Sequence, residues 1–506
     1  MSQSKHWLKK AIILAMTFIL TIGMTLGMLL PLNANASSAT DNSLNEVKKK
    51  GVLVMGTSPD YPPYEFQKSH HGQSKDYGAD IQLGKQIAKK LHVKLKIKNM
   101  SFNSLLTALN THKVDMIIAA LSYTPQRAKN VNFSKSYADA YINFVVNKQD
   151  AKKYHSYKNL ANQSIGAQLG TTQYTMAKKQ IKNVHLKGMD STNDLVIGLK
   201  SGRFKAVPME KPAADAYIKN TTGLAEVPSH FKGQTGQNAT RCIAFHKGAN
   251  SLTNAANKVI EQDNHNHTYT NKFVAAAGKK MGTAKNNKSQ FSLWNYKDYF
   301  IKGLELTIVI SVASVIMGLI LGVIFALMRL SHNWFLHTIA VIYIEFIRGT
   351  PELVQIMFVY FGLGEIVKLP ALTSGIIAIG VNSGAYVAEI IRSGINSVDK
   401  GQMEAALSLG LSKAKGMKNI VLPQAFKNIW PALGNEFVTL LKDSSLVSTI
   451  GVAELMYEMK IVQADTYEGV LPIFIIMIIY FIMTSIILAI MHYYEKKFNH
   501  KGTAKA

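Results

Sequence analysis

The chain has 506 residues and a net charge of +26, yet only 17% of its residues are charged and 47% are apolar. At about 100–200 residues per domain, this length predicts two or three domains. The composition excludes a disordered chain and a collagen-like repeat, and the single cysteine excludes a disulfide framework or a cysteine-based zinc site. Low charge with high apolar content instead indicates a membrane protein with a soluble part.

The positive charge is concentrated in residues 37–290, which hold 37 Lys and Arg against 16 Asp and Glu. These lysines are dispersed and no nucleic-acid-binding motif accompanies them. The distribution therefore favours a solvated basic surface beside an anionic membrane or cell wall, without a nucleic-acid partner.

The N-terminus has the pattern of an export signal. Lys5, Lys9 and Lys10 precede an uncharged apolar run, and Ala34-Asn35-Ala36 follows as a small-residue cleavage site. We expect residues 1–36 to be a signal peptide. The apolar run of about 20 residues is long enough to span a bilayer, so cleavage and retention as an anchor both stay open.

Residues 45–285 have the pattern of a soluble α/β domain. Residues 52–55 and 115–120 form short apolar runs typical of buried strands, and residues 81–91 have helical spacing with Asp80 placed to cap them. Strands that alternate with helices predict parallel sheets flanked by helices. About 240 residues is large for one core, so we expect two lobes.

Residues 300–495 are predicted to form an all-α membrane domain of five transmembrane helices, after a linker at 286–299. Each strong span is uncharged or mostly apolar over at least 20 residues, and the fifth is weaker because Glu436, Lys442 and Asp443 interrupt it. The spans are 306–328, 336–364, 369–388, the weaker one within 428–453, and 469–491.

Basic residues set the predicted orientation of these spans. Lysines and arginines crowd the loop between residues 392 and 427 and the tail at 496–506, so both are expected in the cytoplasm. An odd number of spans then leaves residues 45–285 on the extracytoplasmic side of the cell membrane.

The cytoplasmic loop carries a spaced motif: Glu404-Ala405-Ala406, then Gly410, and later the sequence I-x-L-P at residues 420–423. This motif resembles the EAA loop of ABC importer permeases, which docks into a cytoplasmic ABC ATPase subunit. The flanking residues 344–355 and 383–395 resemble permeases for polar amino acids. In the first of these segments, Glu345 and Arg348 lie three apart on a helix and are expected to pair.

The soluble domain resembles the substrate-binding proteins of the same transporters. The resemblance rests on the segments G-T-S-P-D-Y-P-P-Y-E-F at 56–66, A-L-S-Y-T-P-Q-R at 120–127, G-A-Q-L-G-T-T-Q at 166–173 and M-E-K-P at 209–212. It implies a two-lobed α/β domain of the periplasmic-binding-protein type II fold. Two hinge strands join the lobes, with crossings near 139–146 and 234–245.

The resemblance also implies a site for an amino-acid zwitterion. Arg127 would bind the carboxylate, Glu210 the ammonium group, and Tyr61 and Phe102 would sandwich the side chain. Backbone donors near Thr172, at a helix start, would add to the carboxylate site. The implied substrate-binding residues are Ser58, Asp60, Tyr61, Phe102, Ala119, Ala120, Ser122, Arg127, Gln168, Thr171, Thr172, Met209 and Glu210.

Three of these positions depart from glutamine-binding relatives, which carry Asp, Lys and His where this chain has Ser58, Gln168 and Met209. Glutamine is therefore not assumed, and Asp60 is placed to substitute for the missing Asp. We expect glutamine, glutamate or asparagine ahead of arginine or lysine.

An importer of basic amino acids and an amino-acid-gated channel or receptor remain alternatives. In such channels the pore segment interrupts the binding domain, whereas here every span follows it.

The sequence predicts neither an enzyme nor a cofactor. No phosphate-binding loop G-x-x-x-x-G-K-[ST] occurs, so ATP hydrolysis is assigned to a separate ATPase subunit. The histidines at 70–71, 265 and 267 lack supporting carboxylate or cysteine spacing, so we expect no metal site. By analogy with the family, two permease copies are expected to form a homodimer in the lipid membrane.

Overall fold

The computed structural model describes residues 41–70, 73–234, 240–281, 293–363, 367, 369–466 and 470–503. The predicted signal peptide lies outside the described residues, as do half of the predicted linker (residues 286–292) and the last three residues of the tail. The described chain forms an N-terminal α/β domain (residues 41–281) and a helical domain (residues 293–503).

The N-terminal domain contains two five-stranded sheets and a small three-stranded one, with orders β5-β1-β6-β13-β7, β10-β9-β11-β8-β12 and β2-β3-β4. The strands are β1 Val52–Thr57, β2 Asp60–Tyr61, β3 Glu65–His70, β4 Gln73–Tyr77, β5 Lys94–Asn99, β6 Met116–Ile117, β7 Val131–Asp139, β8 Ile142–Asn147, β9 Ser164–Gln168, β10 His185–Met189, β11 Ala206–Glu210, β12 Leu224–Pro228 and β13 Thr240–His246.

Helices cover the faces of these sheets. They are α1 Ser43–Lys50, α2 Ala79–Lys90, α3 Phe102–Asn110, α4 Pro125–Ala128, α5 Thr172–Gln180, α6 Thr192–Lys200, α7 Lys211–Asn220, α8 Asn250–His265 and α9 Ala275–Met281, with 3-10 turns at Lys148–Lys153 and Tyr157–Leu160 and a π-helical turn at Tyr269–Val274.

The two large sheets define two lobes, and the chain crosses between them after β7 and after β12. The outer strands follow the predicted parallel pattern: β1 runs parallel to β5 and β6, and β9 to β10. However, β13 is antiparallel to β6 and β7, and β8 is antiparallel to β11 and β12, so both sheets are mixed. The purely parallel prediction is wrong because the crossing strands enter from the other lobe without a covering helix, and such connections do not require parallel pairing.

Asp80 does not cap its helix as the sequence predicted. The helix begins at Ala79 with Gly78 as its N-cap, and Asp80 lies fully buried in the first turn. Its carboxylate accepts hydrogen bonds from the backbone N–H of Ala120 at 2.7 Å and from the hydroxyl of Tyr137 at 3.1 Å. Asp80 therefore ties α2 to the segment that follows β6.

The helical domain contains nine described α-helices. They are α10 Lys297–Leu330, α11 Trp334–Arg348, α12 Glu352–Met357, α13 Ala371–Asn396, α14 Lys400–Ser408, α15 Lys413–Gly416, α16 Leu422–Asp443, α17 Leu455–Thr466 and α18 Val470–Thr503, with 3-10 turns at Leu293–Tyr296 and Ser444–Ile450 and π-helical turns at Phe358–Gly362 and Met417–Val421.

Each of the five predicted spans coincides largely with helices of the described residues. Within the described residues, Trp294–Leu330, Ala371–Asn396 and Val470–Lys497 are long and apolar enough to cross a membrane. The predicted second span is divided between α11 and α12, because Pro351 lacks the N–H that would continue the helix. The weaker predicted span, within 428–453, corresponds to α16 and the 3-10 turn after it.

The predicted pair between Glu345 and Arg348 does not form. Instead, a carboxylate oxygen of Glu345 lies 3.5 Å from a guanidinium nitrogen of Arg329, and the guanidinium of Arg348 lies 5.3 Å from the ring centroid of Tyr386. The prediction considered one helix alone, whereas α10 and α13 pack beside α11 and provide nearer partners.

The N-terminal domain rests on the helical domain through a shared apolar cluster. Met100 and Leu109 of the first domain are buried together with Ile356 and Tyr360 of the second. At the same boundary, Gly451 approaches the backbone carbonyl of Asn99 so closely that an added Cβ would lie 2.2 Å from that oxygen. The first lobe therefore packs against one end of the membrane-domain helices.

Candidate functional site

A cleft between the two lobes gathers the residues implied by the resemblance. The first lobe provides residues that follow β1 and β6, and the second provides residues at the carboxyl ends of β9 and β11, where open α/β sheets place their ligands. The residues that line the cleft are Ser58, Asp60, Tyr61, Glu65, Phe102, Ala119, Ala120, Ser122, Arg127, Gln168, Thr171, Thr172, Gln173 and Glu210.

The lobes are closed over this cleft. The space between its walls is about 20 Å³, room for roughly one water molecule. Hydrogen bonds join the lobes: the backbone N–H of Thr192 donates to Asp60 at 2.8 Å, and that of Glu210 donates to the hydroxyl of Tyr61 at 2.9 Å. An amino acid would thus have to enter while the lobes are apart.

Arg127 bridges the lobes with its guanidinium group. One terminal nitrogen donates to the carbonyl of Ser122 at 2.8 Å and the other to the carbonyl of Gly170 at 2.7 Å. Burial, and secondarily the positive charge of Arg241, lower the pKa of Arg127 to about 10. A carboxylate is a better partner for this fork than two neutral carbonyls, because charge-assisted hydrogen bonds are stronger.

Glu210 lies opposite, fully buried at the carboxyl end of β11. It forms an ion pair with Arg241, whose Nε donates to Oε2 at 2.8 Å, and it accepts a hydrogen bond from Gln173 at 3.2 Å. Arg241 also donates to the hydroxyl of Ser122 at 2.6 Å. The cleft therefore contains a cationic side chain, Arg127, and an anionic one, Glu210, and Arg241 contacts both Glu210 and Ser122.

The E-A-A motif lies on α14 at the far end of α13. Asp399 caps the helix by accepting the N–H of Gly401 at 2.7 Å, Glu404 and Ala405 are exposed, and Ala406 is buried. Gly410 follows the helix with φ of +81° and ends it as only glycine does easily. Leu409 is 81% exposed beside it.

Family comparisons divide the chain into the same two parts. Residues 53–273 match bacterial extracellular solute-binding proteins, family 3, and residues 318–500 match the binding-protein-dependent transport system inner membrane component. Over 201 residues, 39% of this chain and 92% of the relative, the chain is 42% identical to the putative glutamine transport system permease protein GlnP of Rickettsia felis. The chain belongs to the polar amino acid ABC importers, as a substrate-binding domain fused to a permease.

Other relatives of the importer carry different substrate names. The arginine transport system permease protein ArtQ of Bacillus subtilis is also 42% identical over 201 residues, again 39% of this chain and 92% of the relative. A solved amino acid ABC transporter substrate-binding protein from Streptococcus pneumoniae, bound to L-arginine, is 34% identical to the binding domain. That alignment covers 47% of this chain and 98% of that structure with a TM-score of 0.45.

The structure does not bring Met209 to the cleft. Successive side chains of a strand point to opposite faces, so Glu210 faces the cleft while Met209 is buried in the lobe-two core with Val207 and Leu199. The resemblance placed both residues at the site because they are adjacent in the motif. The remaining twelve implied residues all line the cleft.

Three polar residues of the site were missed from the sequence: Arg241, Glu65 and Gln173. Arg241 directly precedes the apolar run 242–245, which is typical of a buried strand. A charged residue at such a position needs a buried partner, and this could have identified it from the sequence. Glu65 and Gln173 lie inside the quoted motifs, but nothing in their spacing separated them from surface residues. Among the described residues no group of three His, Cys, Asp or Glu could hold a metal ion.

Glu65 is a buried acidic residue of the cleft. Its side chain is 1% exposed, and its carboxyl group shares a hydrogen bond with the carboxyl group of Asp80. Burial, followed by the nearby charge of Asp80, raises its pKa well above the ordinary value. Burial likewise raises the pKa of Asp60, although Ser58 and Thr192 donate hydrogen bonds to it.

Proposed function

We propose that this chain captures a polar L-amino acid outside the cell membrane and passes it through its permease domain, powered by a separate cytoplasmic ABC ATPase. The observation that carries the proposal is a cleft that contains both Arg127 and Glu210, in a chain that continues into a permease domain with an exposed helix α14. Ala371, at the start of α13, lies at the binding-domain boundary, and α14 follows its other end. Twenty-six helical residues separate the two by about 39 Å, the thickness of a membrane.

The charges of the cleft support recognition of the α-amino and α-carboxylate groups. Arg127 would release its carbonyl partners to take the carboxylate, aided by the N-terminus of α5 at Thr172. Glu210 would take the ammonium group while Arg241 holds it in place. Tyr61 and Phe102 would pack on the aliphatic part of the ligand.

Substitution of Arg127 tests this assignment. In the full chain, we expect Arg127→Ala to weaken binding of the preferred amino acid by about 2–5 kcal/mol in isothermal titration, because the carboxylate loses a buried charged partner. Arg203→Ala removes an exposed arginine of lobe two and is the matched control. Equal affinity in the two variants would refute the site.

Two ligand classes are supported by different observations. The neutral and acidic ligands glutamine, glutamate and asparagine fit a polar cleft, and one permease relative is named for glutamine. A basic amino acid is supported by the two acidic side chains Asp60 and Glu65 in the cleft lining, whose charge a guanidinium or ammonium group would balance, and another relative is named for arginine. Titration of all twenty amino acids against wild type and Glu65→Gln separates the classes: only a basic ligand should lose most of its affinity.

Assembly is proposed from the permease architecture. Five spans form half of a translocation path in this family, so two copies of the chain would assemble in the membrane, each carrying its own binding domain. The alternative of an amino-acid-gated channel predicts current across a planar bilayer on adding amino acid without ATP. An importer should show none, and should instead accumulate substrate only when the ATPase and ATP are present.

A further inference from the structure

A second cavity adjoins the amino-acid cleft on the side that faces the permease. Its volume is about 190 Å³, against about 20 Å³ for the closed cleft. That is room for on the order of ten water molecules, or for one amino acid. Lobe one contributes Met100 to its lining, lobe two contributes Asp190, and the permease contributes Leu353, Thr449 and Lys460. Both lobes and the permease therefore enclose one space, the interdomain chamber.

The cleft and the interdomain chamber share a wall. Ser58 and Asp60 line both cavities. One carboxylate oxygen of Asp60 accepts the hydroxyl of Ser58 at 3.0 Å, and the other accepts the backbone N–H of Thr192, from lobe two, at 2.8 Å. A second bond between the lobes lies in the chamber wall, where the side-chain amide of Asn103 donates to Asp190 at 2.8 Å. Both bonds break when the lobes part, so opening the cleft joins it to the chamber.

Lobe one is anchored to the permease beside the chamber. The hydroxyl of Tyr457, on α17, forms hydrogen bonds with the side chains of Gln67 and Asn99 of lobe one. Asp76 accepts a hydrogen bond from each of these two side chains, at 2.8 and 2.9 Å, and so holds them in place. The close approach of Gly451 to Asn99 adds to this anchor. Hinge opening is therefore expected to move lobe two while lobe one stays on the permease.

Lys460 is the one cationic side chain among the described residues that line the chamber. It lies on α17, which also packs against α6 of lobe two. Burial raises the pKa of Asp194 on α6, and the positive charge of Lys460 opposes that rise. Lys460 also acts on Glu454, whose carboxylate already accepts the backbone N–H groups of Met456 and Tyr457. When lobe two moves away it takes Asp194 with it, and Lys460 then faces the chamber without that counter-charge.

We propose that the interdomain chamber is a transfer site for the transported amino acid, in which Lys460 takes the α-carboxylate that Arg127 releases. This inference rests on the proposed function as an importer. The ligand crosses the wall at Asp60 once the lobes part, and its aliphatic part packs on Met100 and Leu353. An ammonium group on a flexible stem holds a carboxylate less firmly than the guanidinium fork of Arg127 does. Weaker binding suits a site that must release its ligand into the permease.

The first test separates transfer from capture. Uptake of radiolabelled L-glutamine and L-arginine is measured in proteoliposomes that contain the full chain, the ATPase and ATP, beside ligand-stimulated ATP hydrolysis and amino-acid affinity. We expect Lys460→Gln to lower uptake at least tenfold, while affinity stays within about threefold and at least half of the ATP hydrolysis remains, because the cleft is unchanged. Lys297→Gln removes an exposed lysine at the start of α10 and is the matched control. Lys460→Arg keeps the charge and should keep most of the uptake.

The outcomes of this test are distinct. Uptake by Lys460→Gln equal to that of the control would overturn the proposal. An equal fall in ATP hydrolysis and uptake would assign Lys460 to the docking of lobe two, and would overturn it as well. A wild type that accumulates neither amino acid would instead refute the importer itself. If Lys460→Gln binds no amino acid, Lys460→Met replaces it, with the same outcomes.

The second test measures occupancy of the chamber with introduced thiols. Thr449→Cys places a thiol in the chamber, and Thr111→Cys places one in a separate cavity of about 1020 Å³ at the same domain boundary, which makes it the matched control. The native Cys242 is buried. Labelling by a small methanethiosulfonate reagent is followed in the presence of ATP and vanadate, which arrest the ATPase, with and without saturating L-glutamine or L-arginine.

We expect the amino acid to slow the labelling of Thr449→Cys at least fivefold and that of Thr111→Cys less than twofold. Adding Lys460→Gln to Thr449→Cys should abolish the protection. Protection that persists without Lys460 would show that lobe closure covers the thiol, and would overturn the proposal. Equal protection of the two thiols, or protection of neither, would overturn it too.

Discussion

Arg241 on β13 and Glu210 on β11 form a buried ion pair that joins the sheets of the two lobes. Each side chain is 1% exposed. Because β13 is the strand by which the chain returns to lobe one, the pair links the proposed ammonium site to the hinge. Because water does not reach either side chain, the charge of each residue is balanced by the other.

Removal of one partner should be more harmful than removal of both. We expect Arg241→Ala to lower the free energy of unfolding of the binding domain by about 3–5 kcal/mol, because it leaves Glu210 buried without a counter-charge. Arg241→Met with Glu210→Gln should recover much of that loss, since no charge then remains buried. Hydrogen exchange of the β11 and β13 amides, followed across a denaturant series on the full chain, measures both.

The two variants should separate stability from ligand binding. The double variant is expected to fold yet bind its amino acid weakly, since the ammonium group loses Glu210. A double variant as unstable as Arg241→Ala would show that the ion pair packs the hinge by shape rather than by charge.

A pH dependence follows from the raised pKa of Glu65. Its folded pKa lies above the ordinary value of 4.5, so the folded state binds more protons than the unfolded state above that pH. Stability contributed by protonated Glu65 is therefore present below about pH 4.5 and lost as pH rises through the folded pKa.

The substitution Glu65→Gln should remove this loss of stability with rising pH. We expect the variant to equal or exceed wild type in thermal midpoint at pH 7, and its stability to fall less between pH 5 and 8. Glu46→Gln, at an exposed position in α1, is the control and should follow the wild-type curve. A variant curve parallel to wild type would mean that another group, such as Asp80, carries the titration.

Local sequence patterns predicted the elements and contacts that residues close in sequence determine. They missed contacts between residues that are far apart in the sequence and meet only in the folded protein. The apolar run 306–328 predicted a membrane helix, and ten of the twelve predicted residues that line the cleft lie within the quoted family motifs. Arg241 belongs to no motif, and it reaches Glu210 only because β13 comes back to lobe one after the whole of lobe two. The prediction that Met209 lines the cleft was wrong for a local reason. The motif contains both Met209 and Glu210, but side chains alternate along β11, so only Glu210 faces the cleft.

Docking of lobe one on the permease should depend on Gly451. Its φ of +83° and its approach to the carbonyl of Asn99 leave no room for a Cβ. We expect Gly451→Ala to leave amino-acid affinity within about threefold, because the cleft is untouched, while uptake into proteoliposomes falls by at least tenfold. Paired spin labels across the boundary should show lobe one moving away.

Gly248→Ala is the matched control for this change. Gly248 has a similar φ of +87° in lobe one, but nothing lies within 4 Å of the position of an added Cβ. Both substitutions carry the cost of a left-handed alanine, about 1–2 kcal/mol. An equal loss of uptake in the two variants would attribute the defect to backbone strain rather than to lost docking.

Coupling to the ATPase should depend on the backbone angle at Gly410. The added Cβ would meet nothing within 4 Å there, so the requirement is the φ of +81° and not space. Gly410→Asn, which tolerates this angle, should keep most of the ligand-stimulated ATP hydrolysis, whereas Gly410→Val should lose at least tenfold as the end of α14 shifts. Amino-acid affinity should stay unchanged in both, because the cleft lies beyond the other end of α13.

Gly202→Val is the control for backbone strain alone. Gly202 has a φ of +76° in an open turn of lobe two, and this variant should support normal ATP hydrolysis. Full hydrolysis by Gly410→Val would show that α14 is not the coupling element.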